Sequence, residues 1–395
     1  MEKQVHMKFA RILMIITGIW PLSLSGYKHK LYSGYFYLCF TYYVLFSATM
    51  AAMVFIHKGN FLEMASNLNI SIIYFTYIYK VLICKSAAIQ KIIHEIGDRE
   101  KLILQGRDES IKVIYNKHVK SAFISMVFYI GAATCAISLY WIKPLVANFI
   151  EKRDSEKFTV EHKRYLIYSS WLPFDSDEHY ITAYLIQCVG GFYAYAFVIY
   201  SGAFYIGILE FIIGQIKILQ YIFRNLNRYI HTYSKDGYFE GRSPQEMLVK
   251  LCIREHQYLI GFVERLDESI KIFMLMEFMI SSFQLSLVVY QFLQGSADSL
   301  QRIAVSFYFI TLSSKLFLVY WNAHDIIIES TKISEAVFES EWYNFDPKVK
   351  KMLMLVIQRA QKPMGMSIGP FYEVRLEGFI AIFKAIYSYM TLIQN

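Results

Sequence analysis

Charge is scarce in this 395-residue chain: Asp, Glu, Lys and Arg make up only 18% of it, against 55% hydrophobic residues. A soluble domain carries about 25% charged residues, so a chain wetted over its whole surface is excluded. Cysteine is sparse as well, with five residues and no CxxC spacing. That excludes a disulfide framework and a thiolate metal centre, and leaves buried free thiols as the expected state. His94, His118, His231 and His256 are scattered and form no metal pair, and no His, Cys and carboxylate group sits at catalytic spacing. An enzyme is disfavoured on that ground, and neither a cofactor nor a metal is expected. Gly/Pro-broken segments at matching positions in two halves, the mark of an inverted-repeat transporter, are also missing.

What the chain has is apolar length. Tyr (32) and Phe (31) are abundant, and seven stretches are long and apolar enough to span a bilayer: 35–56, 68–84, 122–142, 180–213, 272–293, 303–321 and 376–395. Each meets or nearly meets the roughly 20-residue requirement. Lys and Arg divide unevenly between the connections. The amino-terminal arm and the second, fourth and sixth connections hold 29 of them, and the first, third and fifth hold 7. The positive-inside rule therefore places the amino terminus in the cytoplasm and the carboxyl terminus outside. The net charge of +8 is a topology signal facing anionic lipid, with no basic run interleaved with aromatics, so nucleic acid is not an expected partner. Lys3, Lys8 and Arg11 precede the apolar run 12–20 as in a signal peptide, but no small-residue cleavage site follows. The run is expected to remain as a short cytoplasmic-side or re-entrant helix.

Two connections carry helices of their own. The fourth span continues at helical spacing through Ile216, Leu219, Phe223, Leu226 and Ile230, and the same stripe restarts at Leu248 after a break at Gly237, Gly241 and Pro244. Asp346-Pro347 starts a third amphipathic helix with Val349, Met352, Leu353, Val356 and Ile357, Asp at the N-cap and Pro at the first position. Such stripes must be covered. The fold class is thus an all-α membrane protein of seven transmembrane helices with a cytoplasmic helical anchor bundle. The last helix is unusual in carrying Lys384, Tyr387, Ser388, Tyr389 and Thr391, groups that in hydrocarbon need water or a partner. Lys384, Ser388, Leu392 and Asn395 recur on one face, and Leu392 suits an apolar constriction that closes by dewetting.

Ser330, Ser334, Ala336, Phe338 and Trp342 are followed by Arg359-Ala360-Gln361-Lys362-Pro363, Gly369, Phe379 and Lys384-Ala385-Ile386-Tyr387-Ser388-Tyr389-Met390-Thr391-Leu392. Order and spacing over about sixty residues resemble the carboxyl-terminal signature of the insect odorant receptors. Gly18-Ile19-Trp20-Pro21, Trp171-Leu172-Pro173-Phe174-Asp175 and the Leu251 to His256 stretch extend the likeness along the chain. Ala323 and His324 depart from it, standing where many members have Gly followed by an acidic or amide residue. The resemblance implies an odorant-gated, non-selective cation channel with the last helices around a central pore. It also implies a heterotetramer with a shared co-receptor in the plasma membrane, a small volatile organic ligand, and contacts with permeant cations and membrane lipid. The short fourth connection favours the odorant-tuned subunit over the co-receptor. Gustatory-receptor-like channels share the inverted plan but usually carry Thr-Tyr and a later Gln-Phe in the last helix. A G-protein-coupled receptor is disfavoured by topology and by the missing acidic-Arg-Tyr and Asn-Pro-x-x-Tyr runs. An inverted receptor signalling without a pore is the remaining alternative.

On this plan residues 1–34 form an amino-terminal arm and 35–321 a six-helix ligand-binding region with cytoplasmic extensions at 214–271. Residues 322–375 form an anchor segment and 376–395 the pore helix. Odorant is expected in the outer half of the membrane, between the second, third, fourth and sixth spans. Its walls are Ile73, Tyr74 and Tyr77; Thr134, Ile137, Ser138 and Trp141; Tyr184, Gln187 and Gly191; and Phe307, Tyr308 and Thr311, with residues 171–175 above. These are mostly apolar and aromatic with a few hydroxyls, which suits a small volatile. Glu210, Glu277, Lys80 and Lys315 fall in the cytoplasmic halves or ends of their spans, where they either form a charged relay or simply snorkel and pair. The charge split predicts that a carboxyl-terminal epitope tag is labelled on intact cells and an amino-terminal tag only after permeabilisation; surface labelling of the amino-terminal tag overturns the topology.

Overall fold

The computed structural model describes residues 6–22, 25–56, 61–158, 164–235, 243–294 and 299–394. They form eleven α-helices in chain order: α1 (Lys8–Ile16), α2 (Tyr27–Ile56), α3 (Phe61–Lys85), α4 (Ala87–Gln105), α5 (Glu109–Phe158), α6 (Tyr180–Arg224), α7 (Leu226–Lys235), α8 (Pro244–Gln294), α9 (Ser299–Phe338), α10 (Pro347–Ala360) and α11 (Leu376–Gln394). Six of them, α2, α3, α5, α6, α8 and α9, are long and apolar enough to cross a membrane. The remaining expected span is the 19-residue α11. Large apolar side chains such as Leu38, Phe128 and Ile181 stand exposed along these helices, a surface that is stable against lipid tails and not against water.

The bundle is built around α6. From Ile199 to Ile216 every residue of this helix is buried, because α5, α9, α8, α3, α2 and α1 all pack on it. Small residues make the close approaches possible: a Cβ at Gly202 would overlap the Tyr129 ring of α5. The amino-terminal arm is docked here as well. Met7, Ala10 and Met14 are buried, His6 Nε2 lies 2.8 Å from the Gly207 carbonyl, and His6 N donates to Glu100 at 3.0 Å.

At 45 and 51 residues, α6 and α8 run about 68 and 77 Å at 1.5 Å per residue, more than twice the roughly 30 Å hydrocarbon core. Beyond the spans, α10 packs on the extension of α8 and on α9. The break containing Gly237 and Gly241 lies outside the described residues, and Pro244 opens α8. Asp346 occupies the N-cap of α10 as expected, but its side chain makes no capping hydrogen bond. The helix is held by burial of Val349, Leu353, Val356 and Ala360 and by Glu246. That carboxylate receives Lys250 at 2.6 Å and Lys348 at 2.8 Å, and the two ammonium groups hold it down at about 2. After α10 the chain forms a two-residue hairpin, β1 (Ser367–Ile368) antiparallel to β2 (Tyr372–Glu373). Gly369 turns it at φ +57° and donates its N–H to the Lys271 carbonyl of α8, while Asp267 accepts from Ser367 N at 2.6 Å. Ser330 of α9 accepts from Met364 N at 2.9 Å. The signature residues around Pro363 and Gly369 thus strap α11 to the anchor.

Cys39, Cys84 and Cys252 are buried free thiols and Cys188 is half-buried, but Cys135 is exposed because it lies on the outward face of α5. His256 of α8 is buried, its Nε2 has no hydrogen-bond partner among the described residues, and burial together with nearby Arg359 lowers its pKa to about 4. An unfolded histidine binds its proton near pH 6.5. Between these values the unfolded chain holds more protons than the folded one, so stability is complete above about 6.5 and declines as pH falls toward 4. Thermal melts in detergent should therefore show a steeper acid loss for the native chain than for His256→Gln. Parallel pH curves remove the role of His256.

Candidate functional site

Where α3, α5, α6 and α9 converge there is a cavity of about 110 Å³. Expected residues supply part of its wall: Ile73 and Tyr74 from α3, Ile137 from α5, Tyr308 and Thr311 from α9. The rest comes from Ile70, Ala133, Ala136, Tyr140, Ala194, Tyr195 and Val198 and from Tyr168. The alanines could have been found from the helical period, since Ala133, Ala136, Ile137 and Tyr140 fall on one face of α5. Nothing in the sequence marks Tyr168, which belongs to the long α5–α6 connection.

Several residues expected in the wall stand one layer behind it. Gln187 accepts from Tyr168 N at 3.0 Å and donates to the Tyr168 carbonyl and to Ser170 Oγ, both at 2.8 Å. Gly191 leaves the space that the Tyr168 hydroxyl and the Trp141 indole nitrogen fill: a Cβ there would stand 2.8 and 3.1 Å from them. Tyr184 donates to the Trp141 carbonyl at 3.0 Å. These four hold Tyr168 in place. Thr134 is exposed and hydrogen-bonds the cavity residue Tyr195. Ser138 and Phe307 are half-buried and do not line the cavity. Of the connection, it is Tyr168 that covers the cavity and not residues 171–175, whose Trp171 instead donates its N–H to the Thr49 carbonyl of α2.

A smaller cavity of about 60 Å³ adjoins the first and shares Ile73, Val198, Tyr308 and Thr311 with it. Tyr77, Lys80, Glu277 and Lys315 form part of its lining. These charges are buried and paired, and do not snorkel: Lys80 Nζ is 2.7 Å from Glu277 Oε2, and Lys315 pairs with Glu277 Oε1. Glu210 pairs elsewhere, with His118 at 3.0 Å and Ser121 at 2.6 Å.

On α11, Ile382 and Ile386 are buried, and Phe379 and Phe383 interlock with Phe317 and Phe309 of α9. The opposite face, with Ala381, Lys384, Ser388 and Thr391, is exposed. Leu392 continues the helix, and Asn395 lies outside the described residues.

A family model described as "7tm Odorant receptor" matches residues 60–387. The chain belongs to this family. It is 30% identical to odorant receptor Or2 of Anopheles gambiae over 217 residues, 55% of this chain and 56% of that protein. It is 26% identical to the odorant receptor coreceptor of Aedes aegypti over 155 residues, 38% of this chain and 32% of that one. The matched part thus spans little more than half of Or2 and a third of the coreceptor. The fold matches the structure of the insect olfactory receptor OR5 from Machilis hrabei in complex with eugenol, with a TM-score of 0.76 at 13% identity over 98% of this chain and 97% of that one. The chain is accordingly an all-helical, multi-pass membrane protein of the odorant receptor family.

Gln187 predicts a measurable cost. Gln187→Leu leaves the Tyr168 N–H and C=O without partners, a loss of about 1–3 kcal/mol per buried group, and should lower the detergent melting temperature. An unchanged melt means that the loop is held without it.

Proposed function

We propose that the chain is an odorant-tuned subunit of an odorant-gated, non-selective cation channel, assembled with a co-receptor as a heterotetramer. The observation that carries this reading is the apolar, aromatic cavity between α3, α5, α6 and α9 in a chain of the odorant receptor family. Burying roughly 200 Å² of a volatile at about 25 cal/mol/Å² supplies about 5 kcal/mol, the scale of a submillimolar ligand. The polar face of α11 supports a wet pore lined by Lys384 and Ser388, with Leu392 at its constriction and Asn395 at the outer end. Residues 1–34, 35–321, 322–375 and 376–395 serve as arm, ligand-binding region, anchor and pore helix, with the amino terminus inside. The longer and closer match to Or2 than to the coreceptor supports the tuned role.

Coupling from cavity to pore has a continuous route in α9. Tyr308 and Thr311 line the cavity, and Tyr320 three turns on abuts α11, where a Cβ at Gly378 would stand 2.8 Å from its ring. Ligand that pushes α9 therefore bears on α11. Currents evoked by a volatile panel should appear on co-expression with a co-receptor and be absent without one. Tyr74→Ala and Tyr308→Ala should raise the half-maximal concentration about tenfold or more, the effect of losing one buried aromatic contact, and Leu392→Ser should raise resting current or change ion selectivity. Unaltered dose-response in channels that reach the surface places the ligand elsewhere, and unaltered conduction removes the gate from Leu392.

A further inference from the structure

The cluster beside the smaller cavity holds two ammonium groups and one carboxylate. Lys80 is 0% exposed, and Glu277 and Lys315 are 7% exposed each. Glu277 bridges both lysines, and Lys315 Nζ also stands 3.4 Å from the Tyr77 hydroxyl. One carboxylate balances one cation, so the group carries a formal excess of +1 inside the bundle, where an uncompensated charge is costly. Aromatic faces offset part of that cost: Lys80 Nζ is 4.4 Å from the centre of the Tyr77 ring and 4.6 Å from that of Phe273.

The neighbouring polar groups point the same way. Gln284 and Tyr308 line this cavity, and Gln284 Nε2 and Tyr308 Oη are buried with no hydrogen-bond partner among the described residues. Lys80 Nζ, by contrast, is already paired with Glu277 Oε2 at 2.7 Å. Unsatisfied donors beside surplus positive charge reward an acceptor. They repel an ammonium, and a hydrocarbon leaves them as they are. Ile73, Val198, Tyr308 and Thr311 face both cavities, so a ligand with its apolar body in the larger one can place one end in the smaller.

We propose that Lys80, Glu277, Lys315 and Gln284 form a head-group subsite that selects small volatiles carrying an oxygen acceptor, a carboxylate or a carbonyl, at one end of an apolar body. This rests on reading the larger cavity as the odorant site. Hexanoic acid, hexanal, hexane and hexylamine share an apolar body and differ at the head. Measured as thermal stabilisation of the full chain in detergent, and as current on co-expression with a co-receptor, the acid or the aldehyde should act at about tenfold lower concentration than hexane and hexylamine, the ratio one charged hydrogen bond supplies. Stronger action of the acid assigns the surplus charge to a carboxylate, and stronger action of the aldehyde assigns the free donors to a carbonyl. Lys315→Met keeps the volume and leaves Lys80 and Glu277 as a balanced pair, so it should fold and should erase the preference. Ser121→Ala, which removes a buried hydrogen bond outside both cavities, should retain it.

Equal action of the four probes, a preference for hexylamine or hexane, no response to acid or aldehyde up to their solubility, or an unchanged ratio in Lys315→Met each overturns the proposal. So does uniform weakening of all four in that variant, which assigns the cluster to the fold. Acceptor-selective stabilisation without current counts against the channel reading and leaves the subsite standing; current that ignores the head group does the reverse.

Discussion

Inside a bilayer no water is available to satisfy a stray polar group, so each one must find its partner in the protein. The architecture of this chain follows that constraint. Within its span the central helix α6 carries Gln187 and Glu210 into the interior, and both are met, by the backbone of Tyr168 and by His118 and Ser121; Gln284 Nε2 and Tyr308 Oη beside the smaller cavity are the groups left over. Wrapping of α6 by six helices supplies those partners and, with them, the tight packing that gives the bundle one shape.

The cavity exists because the packing relaxes at one level. Ala133, Ala136 and Ala194 are too small to fill the gap between α5, α6 and α3, and Tyr74, Tyr140, Tyr168, Tyr195 and Tyr308 line the space left. Tyr168 covers the gap only because Gln187, Gly191, Trp141 and Tyr184 fix the strand of chain behind it. Residues that touch the cavity and residues that hold its cover thus do different work, and a substitution in the second group acts on cavity shape without contacting a ligand.

The anchor and α11 are joined through backbone N–H groups of the segment between α10 and α11. The hairpin at Ser367–Ile368 and Tyr372–Glu373 is tied to α8 through Asp267 and the Lys271 carbonyl, and to α9 through Ser330. These bonds sit where α8 leaves its expected span, so α11 takes its starting position from the same helix that borders the charged cluster through Glu277.

Much of this was legible in the chain itself. Apolar period and length define the helices α2, α3, α5, α6, α8 and α9, Pro347 marks the start of α10, and the family signature from Ser330 to Leu392 identifies the receptor class, because these are local or linear features. A smaller part of the cavity wall was legible too, since Ile73, Tyr74, Ile137, Tyr308 and Thr311 follow from helix face and depth. Which of Gln187, Gly191, Trp141 and Tyr184 would touch the cavity was not, because all lie at the right depth and only the path of the α5–α6 connection puts Tyr168 between them and the space. The pairing of Lys80, Glu277 and Lys315 was likewise undecided: three charges on three helices separated by up to 235 residues become one buried group only when α3, α8 and α9 are brought side by side. Sequence by itself determined the helices, their amphipathic faces and the family; tertiary structure decided which faces meet, because that depends on the relative rotation of helices distant in the chain.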